Sequence, residues 1–209
     1  MDLLLLLAAL NAPTPLFQDD FSHEGLGEWK SVIPAFEVKD GVLHAHQARA
    51  DHGAVGRVHR AMRDVAAEFR FRLEGSTGFN AVFDDQAHKG SHAGHILRVA
   101  FTPGRITLGD DKEGVMRNDL YELRRTPEGK QKSAELLKGR SASVAVKLEQ
   151  ERWHSVRIEV KGDLLRVFLD GKPAGELRSP GVAHPTKTSF HFTVNGKGMS
   201  FDDVRLTAL

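Results

Sequence analysis

The sequence predicts an all-β fold, a two-sheet antiparallel jelly-roll sandwich with one short helical excursion. Two observations carry the prediction. Apolar and polar residues alternate in short runs, as in Val156-Arg157-Ile158-Glu159-Val160 and in Leu165, Val167 and Leu169. Period two buries one face of a strand and leaves the other for solvent or ligand. The runs are separated by Gly, Pro and Asp turns, among which Asp40-Gly41 and Asp170-Gly171 are strong hairpin signals.

Taken in order, the chain opens on Leu3 to Leu10, an apolar run too short to span a bilayer but suited to the core of a secretory signal. Residues 1–13 are therefore expected to be a signal peptide or hydrophobic leader, and residues 14–209 the sandwich, exported to the periplasm or outside the cell. Leu16 to Phe21 reads as the first strand. Trp29 to Val32, Phe36 to Val38, Val42 to His46 and Gly53 to Arg60 follow. In Asp64 to Leu73, the residues Val65, Ala67, Phe69, Phe71 and Leu73 share one face. Phe79 to Asp84, a Gly/His-rich loop, His95 to Phe101 and Arg105 to Leu108 continue the series.

Arg117 to Arg140 breaks the pattern. Helix formers occur at Asp119 to Arg125 and Ser133 to Leu137, interrupted by Pro127 and Gly129. Its excess of Arg and Lys over Asp and Glu reads as a solvated loop rather than an anion site. Strands resume with Val144 to Leu148, the Arg152 to Glu176 hairpin and the start of a third strand, Lys187 to Val194, and Met199 to Leu206.

The 209 residues suffice for one large β domain with its own core. A net charge of +1 supplies no global field for nucleic acid or an anionic membrane. The lack of cysteine removes disulfides, Cys-ligated metals and a thiol nucleophile. No phosphate-binding loop, Ser-His-Asp signature or nucleic-acid motif is present, and no integral membrane segment is expected.

Landmarks in a fixed order carry a resemblance. Leu16-Phe17 leads through Leu26 to Trp29, then to Phe36-Glu37-Val38 and Asp40-Gly41-Val42-Leu43. Asp64 with Glu68-Phe69-Arg70-Phe71, the Gly78 to Phe83 strand and Gly94 to Val99 follow. The Trp153 hairpin with Leu169-Asp170-Gly171 and the final Phe201-Asp202-Asp203-Val204-Arg205-Leu206 complete it. The chain resembles the concanavalin A-like lectin/glucanase superfamily, and within it the 3-keto-disaccharide hydrolase family. That resemblance implies a carbohydrate ligand on the concave sheet face and an exported domain related to hydrolases of glycosides or 3-keto-glycosides. The alternative is a non-catalytic carbohydrate-binding or surface-interaction module. The polar signature departs from the family's. An Asn-Ser-Gly-Ile stretch ending in Arg is replaced by Phe79 to Asp85, Gly-Tyr-Glu by Gly94-His95-Ile96, Gln-Asp-His-Gly by Thr193 to Gly196, and Arg-Asn-Ile by Asp202-Asp203-Val204.

The chemistry has few candidates. No Glu-x-Asp-x-Glu string is present, so the paired carboxylates of a retaining glucanase are missing. Asp84 is a cleft-carboxylate candidate or a strand-end turn residue, and His191 a general-base candidate or a surface histidine. Phe190, Phe192 and Val194 take the core face of their strand, which leaves Ser189, His191, Thr193 and Asn195 on the other. Leu97 and Val99 likewise leave Ile96 and Arg98 opposite. Asn80, Arg98, Thr193 and Asn195 are thus candidates for saccharide contact; His95, at the place of the family's Gly-Tyr-Glu, is another, and Trp153 is a candidate stacking platform. His88, His92 and His95 are spaced as H-x-x-x-H-x-x-H, a metal pattern if Asp84 or Asp85 completes it, and otherwise a polar loop. Asp203 or Asp202 with turn carbonyls could hold a structural calcium.

Overall fold

The computed structural model describes residues 15–209; the expected leader lies outside the described residues. In chain order the strands are β1 (Pro15–Asp19), β2 (Lys30–Ile33), β3 (Phe36–Lys39), β4 (Val42–Ala45) and β5 (Ala54–Met62). Next come β6 (Val65–Leu73), β7 (Ser76–Asp84), β8 (His95–Thr102) and β9 (Arg105–Asp110). Helices α1 (Asn118–Leu123) and α2 (Pro127–Ser133) form the excursion. The chain ends with β10 (Ser141–Ala145), β11 (Trp153–Lys161), β12 (Leu164–Leu169), β13 (Lys172–Arg178), β14 (Lys187–Gly196) and β15 (Met199–Ala208).

Two antiparallel sheets result. One has the order β13-β12-β11-β6-β15-β4-β3, with β1 also paired to β15; the other runs β10-β9-β8-β7-β14-β5-β2. The alternating apolar residues of both meet in one core. At its centre Phe192 stacks on Phe201 at 3.8 Å and on Trp29 at 5.6 Å, while Phe79 stacks on Phe101 at 4.7 Å. No helix among the described residues is long and apolar enough to cross a membrane.

Local chemistry explains where elements end. Asp170 and Gly171 both take positive φ, 49° and 75°, the turn whose twist matches that of the strands it joins. Asp170 also accepts from the Ser155 amide at 2.9 Å and from His154 Nδ1 at 2.9 Å, tying the turn to β11. A Cβ on Gly171 would meet nothing within 4 Å, so only backbone strain opposes a side chain there. Gly171→Val is expected to cost about 1–2 kcal/mol, read as a lower urea midpoint at constant m.

Three expected boundaries shift. The first strand stops at Asp19 rather than Phe21, because Asp19 and Asp20 accept from the amides of Phe21 and Ser22 and turn the chain. Pro127 opens a helix instead of interrupting one. It sits at the first helical position, where its missing N–H costs nothing, and Thr126 Oγ1 accepts from the Gly129 amide at 3.0 Å as N-cap. The strand placed at Val144 to Leu148 ends at Ala145; Leu148 is instead carried into the core by the following loop.

Candidate functional site

The outer face of the seven-stranded sheet carries the site. Register aligns Lys30, Arg57, His191, Val82, Arg98, Gly109 and Ser141 in one row across it. Adjacent to this row lie Val55, Thr193, Asn80, Ala100, Thr107 and Ser143. On the other side Asp84 stands between Ser189 and His95. Asn80, Arg98, His191 and Thr193 therefore share this face, with Asn195 at its far end opposite Gly78.

His95 reaches the face through a bulge. Phe83 pairs with Leu97 but Asp84 pairs with His95, so Ile96 is an extra residue on β8. Simple alternation from Leu97 would send His95 into the core; the one-residue slip turns it toward Asp84. Ile96 pays the opposite consequence and is buried in the core, not on the outer face as alternation predicts. Gly94, at φ 75°, permits the turn, since a Cβ there would lie 2.3 Å from the Asp85 carbonyl oxygen.

Asp84 is the hub, with its side chain fully enclosed. His95 Nδ1 lies 2.7 Å from Oδ1, and Arg57 Nη2 donates to Oδ2 at 3.2 Å. His191 Nδ1 lies 3.0 Å from Oδ2, in contact with it but off the direction of a hydrogen bond. Burial pushes the Asp84 carboxyl upward, yet the His191 and His95 contacts prevail and hold it well below the usual carboxylate range. An ionised carboxylate only accepts, so His95 Nδ1 carries a proton toward Asp84, and in the neutral ring that tautomer leaves the lone pair on Nε2. Burial lowers the His191 pKa against the pull of Asp84, which keeps its ring neutral. The side chain of His191 is 2% exposed and that of His95 16%, which makes His95 the ring open to a ligand.

Beside this cluster Arg98 Nε donates to Asp111 Oδ2 at 2.6 Å. Burial raises the Asp111 pKa while Arg98 opposes the rise. The Gly/His-rich loop is pinned to the excursion: the His92 amide donates to the Met116 carbonyl, and the Asn118 amide to that of Gly90. His92 stacks on Tyr121 of α1 at 4.0 Å and forms a rim near His95.

The expected histidine metal pattern does not assemble. His88 packs against His184 at 5.0 Å and His92 against Tyr121, and Asp85 turns away to His184 Nε2 at 2.9 Å. The donor set that does converge is Asp84, His95 and His191, with one atom from each within 4.8 Å of the others. Its chemistry does not favour a cation. Asp84 Oδ2 already accepts from the Arg57 guanidinium, a cation of the chain itself with which a metal would have to compete.

Two other candidates lie elsewhere. Trp153 is on the outer face of the other sheet, between the Arg70 and Arg72 guanidinium groups at 5.1 and 5.0 Å, and cannot stack on a ligand beside Arg98. Asp202 and Asp203 both pair with Arg70, the latter at 3.0 Å, so a cation of the chain itself meets their charge. Sequence reasoning missed Arg57, although the core parity of Ala54 and Val58 on β5 sends it outward. It also missed Asp111, for which no sequence signal exists.

Two antiparallel sheets packed face to face, with polar rows on an outer face, make the chain an all-β jelly-roll sandwich of the concanavalin A-like architecture. The chain belongs to the 3-keto-alpha-glucoside-1,2-lyase-like domain family, whose model matches residues 13–207. Solved structures share the fold at low identity. The laminarinase from Rhodothermus marinus superposes with a TM-score of 0.62 at 14% identity, covering 94% of this chain and 98% of that one. The carbohydrate-binding module CBM66 from Bacillus subtilis gives 0.57 at 9%, covering 87% and 96%. A sialidase gives 0.63 at 15%, covering 94% of this chain, which spans only 19% of the sialidase. No curated protein matches the chain in sequence. The protein is a carbohydrate-related β-sandwich.

Proposed function

We propose that the outer face of the seven-stranded sheet binds a saccharide and that the domain cleaves a 3-keto-glucoside by 1,2-elimination. The observation that supports this is the Asp84–His95 pair, a sealed carboxylate orienting an imidazole that keeps a small exposed edge. A ketone at C3 acidifies the proton on C2. His95 Nε2 takes that proton, the C2 electron pair forms a C1=C2 double bond, and the C1–O bond to the aglycone breaks. The departing oxygen gains a proton from the His95 imidazolium or water, which leaves an alcohol and an unsaturated ketone. Arg98 supplies hydrogen bonds for the keto oxygen as negative charge develops on it. Asp84 does not touch substrate in this scheme. It fixes the His95 tautomer and stabilises its cation, and His191 and Arg57 hold Asp84 in turn. Asn80 and Thr193 offer hydrogen bonds to sugar hydroxyls along the neighbouring row.

The decisive experiment gives the protein a 3-keto-glucoside and its unoxidised parent, following enone absorbance alongside calorimetric binding. Turnover of the ketone alone is expected, because the parent C2–H is not acidic. Saturable binding of the 3-keto-glucoside without release of its aglycone would overturn catalysis and make the domain a binding module. The Leu3 to Leu10 run extends the proposal to export; recovery of the chain solely from the cytoplasm in cell fractionation would sink that part.

A further inference from the structure

Beyond Arg98 the outer sheet face meets the excursion, and the two enclose a hollow of about 300 Å³. Arg98, Arg124 and Arg140 line it, with Asp111, Val115 and Leu137. The three guanidinium groups are under-compensated. Arg98 is held by Asp111 through Nε, but its Nη2 is buried without a partner. Arg124 donates to Ser133 Oγ and Arg140 to Ser179 Oγ, neutral groups both, and Arg140 Nε is buried and unpartnered. The remaining carboxylate of the lining, Asp110, accepts from Ser179 Oγ and the amides of Gly181 and Glu113 and forms no ion pair with the three arginines, and Asp111 keeps Oδ1 buried without a partner, so the lining holds three guanidinium groups against two carboxylates. The other two arginines of the excursion behave differently: Arg117 pairs with Asp119 and Arg125 with Glu122. The arginines facing solvent thus have carboxylate partners, whereas Arg124 and Arg140, which face the hollow, have none among the described residues.

Unpaired buried guanidinium nitrogens are costly unless something binds them, and planar guanidinium forks match oxyanions. We propose that this hollow receives an anionic substituent, a carboxylate, sulfate or phosphate, of the saccharide lying on the outer sheet face, so that the substrate class is an acidic sugar chain. The inference rests on the saccharide reading of that face and extends it to the far side of Arg98. It reverses the expectation that the basic excursion is only a solvated loop, since two of its cations are turned inward onto the sheet.

The test uses matched disaccharides: a neutral glucosyl-glucose and its glucuronate, 6-sulfate and 6-phosphate derivatives, titrated calorimetrically into the full chain. At least one acidic member is expected to bind about 10-fold or more tightly than the neutral parent, a preference that shrinks as salt rises. The acidic arms separate carboxylate from sulfate and phosphate. In Arg124→Gln with Arg140→Gln, that acidic-over-neutral ratio is expected to fall toward one. The wild-type ligand series stands by itself if the double variant folds poorly. Equal affinity for neutral and acidic members would overturn the anion subsite and leave the saccharide reading intact. Failure of every member to bind, together with failure of the 3-keto-glucoside, would overturn both.

Discussion

His95→Ala is expected to reduce cleavage of a 3-keto-glucoside about 10²–10⁴-fold, the usual contribution of a positioned general base. The ring is the open member of the cluster, and the bulge at Ile96 exists to point it at Asp84 rather than into the core. Deuterium uptake at C2 in heavy water separates proton abstraction from departure of the aglycone. Wild-type protein is expected to exchange or eliminate, and the variant to do neither at a comparable rate. Loss of the Asp84 contact is expected to lower stability by about 1–3 kcal/mol, so a folded His95→Ala protein remains available for assay. Unchanged turnover in that protein would remove His95 from the chemistry.

The fold was legible in the sequence because burial in a sandwich is periodic. Phe190, Phe192 and Val194 lie in the core as alternation requires, and Asp40-Gly41 and Asp170-Gly171 turn with positive φ at both residues. The site was legible only where it obeys the same period. Asn80, Arg98, His191 and Thr193 reach one face by parity, but His95 does so through a slip that no pattern of apolar residues announces. Trp153 shows the opposite limit: parity places it outward, yet cannot say from which of two sheets. The excursion was least readable, because the direction of Arg124 and Arg140 depends on how two short helices lie against the sheet edge. Composition counts a charge; only packing says whether it faces water.

Asp84→Ala is expected to be the most damaging substitution at the site for stability, by about 3–5 kcal/mol, because it strands a buried Arg57 and two imidazoles without their common anion. Asp84→Asn, which keeps an acceptor but not the charge, is expected to fall between alanine and wild type. The pH dependence distinguishes this loss from a simple cavity. The Asp84 carboxyl is held below its ordinary 3.8, so the unfolded chain takes up that proton first as the medium is acidified. Its contribution is fully present above 3.8 and is lost as pH falls toward the folded value. His191 is also held low, below its ordinary 6.5, so its burial erodes stability as pH falls beneath 6.5. Asp84 is the group that pulls His191 back up. Removing it is expected to drop the His191 pKa further and to deepen the loss of stability as pH falls below 6.5, even as the limb below 3.8 flattens. Urea unfolding across that range reads both limbs. A uniform offset at every pH would mean that Asp84 fills space without organising the charges around it.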